Sequence, residues 1–242
     1  MERLGKIRLF FVVAALLASF PTAVGFAPAA RGAAPDDGRE SAIAKKIEVS
    51  LRLAQYARLE KSPILLAAAG ELLSAVNVRP GELEKISLSG EIAPLPAGEA
   101  GTDPRTAIFE EALDLAENQN NETLADTIFE IGEACLAGEP EGPVISEIKA
   151  VINPGDTDVY KKSFEANATS FVILKVGGER DMHLTVKDPD GKVVKTEPLV
   201  LGVCALSFTP EKSGDHSVEA VNNTPESLIY SLFLNLNQAG SR

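Results

Sequence analysis

The sequence predicts an α+β protein: an N-terminal four-helix region made of two helical hairpins, followed by a C-terminal antiparallel β-sandwich, jelly-roll-like, with about eight strands. Three observations carry this. Apolar residues recur at helical spacing between Ser41 and Gly138. From Glu141 onward they alternate instead. Clusters of Asn, Asp, Pro and Gly then punctuate the second half at short, regular intervals.

The first residues read as an export signal. Arg3, Lys6 and Arg8 precede the apolar run Leu9 to Phe20, and Ala23-Val24-Gly25 fits a small-x-small cleavage site. The run is short for a bilayer span, and no cysteine lies near it to accept a lipid. A signal peptide is therefore expected over 1–25, with an uncleaved anchor as the alternative. An Ala-, Pro- and Gly-rich lead over 26–39 is expected to be disordered. No second apolar stretch reaches spanning length, so no membrane span is expected after cleavage.

A helical domain is expected over 40–140. Ser41 to about Glu60 places Ile43, Ile47, Leu51 and Ala54 on one stripe. Ser62-Pro63 is a cap followed by a first-turn proline, and Leu65, Ala69, Leu72, Leu73 and Val76 form a second stripe. A loop from Pro80 to Gly101, containing Leu95-Pro96-Ala97-Gly98, separates the hairpins. Thr102-Asp103-Pro104 opens a third helix carrying Ile108, Phe109, Ala112, Leu115 and Ala116. Asn121 caps a fourth, expected to run to Gly138 as its C-cap. The hairpin length is that of a tetratricopeptide unit, but the signature pattern is missing and two hairpins are few for a solenoid. A compact bundle is the plainer reading; a peptide-binding groove is the sharper one.

The sandwich is expected over 141–238. Asp181 to Lys187 sets Met182, Leu184 and Val186 on one face against His183, Thr185 and Lys187 on the other. Asp188-Pro189-Asp190-Gly191 is a turn that folds Lys192 to Lys195 back as a hairpin. Further strands are expected at Val144 to Ile152, Val159 to Ala166, Phe171 to Val176, Val200 to Phe208, His216 to Val221 and Leu228 to Leu236.

Several of these segments resemble the bacterial pre-peptidase C-terminal domain. Gly155-Asp156-Thr157-Asp158-Val159-Tyr160 is similar to that family's G-D-x-D-x-Y opening. The Asp181 to Leu184 strand and its Asp188 to Gly191 turn stand where the family has an acidic strand and D-x-x-G turn. Phe208-Thr209-Pro210 with Ser213 to Ala220 resembles its F-x-P and G-x-Y-x-V-x-V segment, and Tyr230-Ser231-Leu232 its closing Y-x-L. The resemblance covers roughly 145–237. It implies an exported accessory β-sandwich; family members usually trail a secreted protease, and none precedes this one. His216 stands where the family has Tyr, and the acidic strand is thinner, which weakens an inherited calcium or ligand site.

Composition narrows the chemistry. A net charge of −12 argues against nucleic acid and anionic membrane surfaces as partners. Trp is absent and Tyr number three, which disfavours a sugar-stacking cleft. His183 and His216 are the two histidines, both in strands and without a nucleophile motif beside them. No G-x-S-x-G, H-E-x-x-H, phosphate-binding loop or dinucleotide fingerprint occurs.

The acidic turns are the candidate site. Asp156 with Asp158, and Asp188 with Asp190, offer hard oxygen ligands for a structural Ca²⁺ that would brace the sandwich. The competing reading is ordinary Asp turn chemistry. No other cofactor is expected. Cys135 lies on a helix face with Leu124, Ile128 and Ile131, and Cys204 on a strand face with Leu206 and Phe208. They are either buried free thiols or a disulfide tying the two halves together. The sequons at Asn121, Asn167 and Asn222 are read as chance occurrences.

The function expected is that of a periplasmic or secreted, non-enzymatic binding or accessory protein whose sandwich engages a protein or cell-surface partner on a helical scaffold. The alternatives are a carboxylate-dependent hydrolase of unrecognised type and a structural envelope component.

Overall fold

A computed structural model describes residues 37–89, 94–96 and 102–235. The expected signal peptide, its cleavage site, the lead up to residue 36, residues 90–93 and 97–101 of the central loop and residues 236–238 lie outside the described residues. Among the described residues the elements are α1 (Asp37–Leu59), α2 (Pro63–Ser74), β1 (Val78–Pro80), β2 (Lys85–Ser87), α3 (Pro104–Asn118) and α4 (Glu122–Leu136). They are followed by β3 (Ile145–Ile152), β4 (Thr157–Phe164), β5 (Ser170–Val176), β6 (Met182–Lys187), β7 (Val193–Pro198), β8 (Val203–Phe208), β9 (Gly214–Asn222) and β10 (Leu228–Leu234).

The helix boundaries follow local chemistry. The Asp103 carboxylate accepts from Arg105 N and the Asn121 side chain from Leu124 N, filling amides that a first helical turn leaves open. Ser62 adopts the extended cap conformation without a side-chain bond, and Pro63 supplies the preset φ. Two ends differ from expectation. α1 begins at Asp37, inside the expected lead. α4 stops at Leu136 with Ala137 still right-handed as its cap, and Gly138 is not used in a left-handed turn.

Phe109 organises the helices. Its ring lies between Gly70 of α2 and Gly132 of α4, and a Cβ on Gly70 would sit 2.9 Å from the ring edge. Glycine in a helix interior costs about 1 kcal/mol against alanine; here it makes room for the ring. Arg58 of α1 clamps Glu111 of α3 through two bonds of 2.7 and 2.6 Å. The α3–α4 hairpin is strongly acidic: Glu110, Glu111, Asp114, Glu117, Glu122, Asp126, Glu130 and Glu133 face a single base, Arg105. Phe129, 58% exposed, stands among the acids of α4.

The strands form two five-stranded sheets. Sheet A has the order β1-β3-β10-β5-β8 and sheet B the order β2-β4-β9-β6-β7. From β3 to β10 the chain alternates between sheets except at the β6–β7 hairpin, which gives the jelly-roll-like character. Pairing is antiparallel throughout except for β1, which runs parallel to β3 with Val78 opposite Ile145.

Alternation along each strand sorts side chains between two cores. Leu174, Leu206, Leu232 and Leu234 of sheet A meet Tyr160, Leu184, Val186 and Val218 of sheet B. The opposite face of sheet A is apolar as well: Ile145, Phe171, Ile173, Val203 and Phe233 join Ile47, Leu51, Leu66 and Phe109 of the helices. The described residues therefore form three layers, helices on sheet A on sheet B. Gln55 of α1 donates to Val176 O at 2.7 Å across the first interface. The central loop of the sequence reading contributes β1 to sheet A and β2 to sheet B, so the boundary expected near residue 140 is crossed by both sheets. All described residues fall in one compact unit.

One cooperative unfolding transition is expected, seen alike by far-ultraviolet circular dichroism and tyrosine fluorescence. Phe233→Ala, on the helix-facing side of sheet A, is expected to cost about 3–5 kcal/mol. Separate transitions for the helices and the sheets in a urea titration would contradict the layered arrangement.

Candidate functional site

The Gly155 to Tyr160 segment turns into β4 and buries its polar groups at the edge of sheet B. Asp156 accepts from Ser87 Oγ (2.5 Å), Ser89 Oγ (2.6 Å), Ser89 N (2.9 Å) and Thr157 N (2.7 Å). Burial alone would raise its pKa; these bonds outweigh it and hold the carboxyl below the ordinary value of 3.8. Asp158 accepts from Tyr230 OH at 2.8 Å, and Lys85 Nζ lies 3.2 Å away. Burial dominates at Asp158 and raises its pKa. Tyr160 and Tyr230 share a 2.5 Å hydroxyl contact, and burial pushes both phenols up.

Asp156 and Asp158 thus receive the segment around β2, whose Lys85, Ser87 and Ser89 supply the bonds. The second acidic turn is self-contained. Asp188 Oδ1 accepts from Asp190 N (3.0 Å) and Lys192 N (2.8 Å), and Asp190 pairs with Lys212. The geometry at both loops is that of turns and strand ends. Among the described residues no group of three or more His, Cys, Asp or Glu side chains is placed to hold a metal ion.

Both cysteines are free thiols in the structure. Cys135 belongs to the helical core and Cys204 to the core between the sheets, where its thiol donates to Glu197 O at 3.3 Å. Burial, with help from Glu197, pushes Cys204 up to about 12; burial also raises Cys135. Thiols so placed are poor nucleophiles. His216 is fully buried, edge-on to Phe164 at 5.4 Å, with Nδ1 2.9 Å from Gly214 O. His183 is on the outer face of sheet B, near Asn223. Asn222, of one sequon, is buried with its amide nitrogen bonded to Asn153 O and Glu226 O.

One charged seam escaped the sequence reading. Glu147 on β3 and Lys175 on β5 lie on the helix-facing side of sheet A. Burial raises Glu147, against a bond from Ser231 and the charges of Lys149 and Lys175. Burial lowers Lys175, with Arg58 adding to it and Glu147 opposing it. The available signal was a charge at the second-face positions of strands otherwise apolar on both faces.

An open polar–apolar surface lies elsewhere, at one end of the sandwich. The β5–β6 and β7–β8 connections, Glu179 to Asp181 and Leu199 to Gly202, line a concavity of about 480 Å³. Val200 and Val203 exchange backbone bonds of 3.0 and 3.2 Å, and Leu201 and Gly202 both have positive φ, 52° and 68°. That is the two-residue turn whose twist suits a hairpin, normally built from Asn and Gly. Leucine there costs about 1–2 kcal/mol, and Val200 is 52% exposed beside it.

The turn is braced from below. Val176 N donates to Gly202 O (2.8 Å), Leu199 N to Met182 O (3.0 Å) and Arg52 Nη1 of α1 to Val200 O (3.2 Å). Asn223 holds the facing wall through Asp181 O and Oδ1 at 2.9 and 3.1 Å. A second concavity of about 330 Å³ lies toward the other end of β7, between Lys192 to Lys195 and Ser207 to Lys212.

No protein-family model matches the chain, and no curated protein matches its sequence. Among solved structures it overlaps the Yersinia pseudotuberculosis-derived mitogen (16% identity, 41% of this chain, 92% of that one, TM-score 0.34). It also overlaps Aeromonas hydrophila PliG, a periplasmic inhibitor of g-type lysozyme (17%, 39%, 87%, 0.30), and a de novo designed double-stranded β-helix (16%, 36%, 96%, 0.26).

Three substitutions test these assignments. Because the folded-state pKa of Asp156 is below its unfolded value, its carboxylate stabilises the fold above about pH 4, and that contribution is lost as pH falls through the native value. Asp156→Ala is expected to cost about 2–3 kcal/mol at pH 7 and clearly less at pH 3; an equal cost at both would contradict the bonding described. A Cβ at Gly202 would sit 2.6 Å from Gly178 O and 2.7 Å from Val176 O, whereas one at Gly191 meets open space. Gly202→Ala is expected to cost about 3 kcal/mol and Gly191→Ala about 1, read as urea midpoints.

Proposed function

We propose that this is an exported, non-enzymatic binding protein that holds a protein or cell-surface partner at the end of the sandwich formed by Glu179 to Asp181 and Leu199 to Gly202. The observation that carries the reading is the Val200–Leu201 turn. It combines exposed aliphatic surface, a left-handed leucine and a backbone braced by α1 and β5. Strained backbone persists where the surroundings over-determine it, and such positions cluster at ligand clamps. A rigid apolar tip beside polar walls binds without a large ordering cost.

The helices serve as the scaffold that fixes the tip. The amino-terminal basic and apolar segments support export, and the short segments similar to the pre-peptidase C-terminal domain support an accessory rather than a catalytic role. Removing residues 141–242 is an unsuitable test, because it would strip the partners of β1, β2 and α1 together.

A photo-crosslinking residue at Val200, in the intact protein expressed in its own cell, is the direct test. One discrete adduct is expected from Val200 and none from the same residue placed at Lys161, on the outer face of sheet B. Absence of an adduct from Val200 would overturn the assignment of this end as the binding surface.

A further inference from the structure

The chemistry of the concavity specifies what it accepts. Resting on the binding reading above, we infer that its occupant is a protein segment that presents an aliphatic side chain directly beside a lysine or arginine. One wall is aliphatic: Leu199, Val200 and Leu201. The opposite wall carries Glu179, Arg180 and Asp181.

The charges there are unbalanced. Arg180 lies 3.7 Å from Glu226, and Arg52, below the turn, is paired with Glu48 at 3.0 Å. Both nearby cations thus already face a carboxylate. Among the described residues neither Glu179 nor Asp181 has a cation at ion-pair distance, and Asp181 instead accepts from the neutral amide of Asn223. The concavity therefore offers an apolar surface facing uncompensated negative charge. An aliphatic group buries area on Val200 and Leu201, and a neighbouring base meets Glu179 and Asp181 at the rim, where it sets orientation and specificity more than affinity. An acidic or purely apolar segment would satisfy one wall and leave the other unmatched.

The test uses a library of random displayed 12-residue peptides, panned on the intact protein. Enrichment of an aliphatic residue adjacent to Lys or Arg is expected. Affinity of a consensus peptide should fall about tenfold or more on Val200→Asp, and Glu179→Lys should shift selection away from basic neighbours. Both positions are exposed, so unfolding midpoints should stay unchanged and exclude misfolding as the cause. Enrichment of acidic or charge-free sequences, or a consensus indifferent to both variants, would overturn the inference. If the Val200 crosslink forms while the library yields no aliphatic–basic consensus, the inferred chemistry fails and the binding surface stands. If the consensus appears without any crosslink in the cell, the chemistry stands and the proposed role fails.

Discussion

Sheet A is apolar on both faces, and the rest of the architecture follows from that. A sheet with one wet face needs a single covering layer; this one needs two. Sheet B covers Leu174, Leu206 and Leu232, and the helices cover Phe171, Ile173 and Phe233. The helices are thus required by the sandwich, and Ile47 and Leu51 of α1 reach the same core as Phe233. Along the same face Ser231 bonds to Glu147, and Lys175 and Glu147 act on each other through charge in the seam between the layers.

The second constraint is closure of the sheet edges. An exposed edge strand invites pairing with other chains. On one side β1 and β2, drawn from between the helical hairpins, complete the two sheets, and Asp156 and Asp158 hold β2 in place. On the other side β7 and β8 are the outermost strands. There the edge carries Lys192, Lys195 and Pro198, and the β6–β7 pairing has a register shift at Val186 and Lys187, all features that discourage strand addition. The proposed binding surface accordingly lies at the end turns and not at the strand edge.

Elements with their own periodicity were legible in the sequence. The stripe of α1, the caps at Asp103 and Asn121, and the alternation of Met182, Leu184 and Val186 all have local causes. β1 and β2 were not legible because three residues carry no period, and their identity as strands comes from pairing with residues roughly 70 positions away in sequence. The same non-locality hid the role of the Gly155 to Tyr160 motif. Two acids at i and i+2 fit a cation site or a turn equally well, and only the arrival of Lys85, Ser87 and Ser89 distinguishes strand anchoring. Leu201 gave no signal at all, since leucine is ordinarily a poor choice for a left-handed turn.

The α3–α4 hairpin, with its eight acids and one base, gathers a large part of the chain's negative charge into a short stretch. Charge concentrated in one hairpin is felt well before contact, out to about the 8–10 Å screening length of physiological salt. The protein is therefore an electrical vane: near any charged neighbour it experiences a torque as well as a force, and that torque turns the acidic helices toward positive surfaces and away from negative ones. Beside charged surroundings, the orientation in which this molecule meets them is biased in advance, and ionic strength governs how firmly.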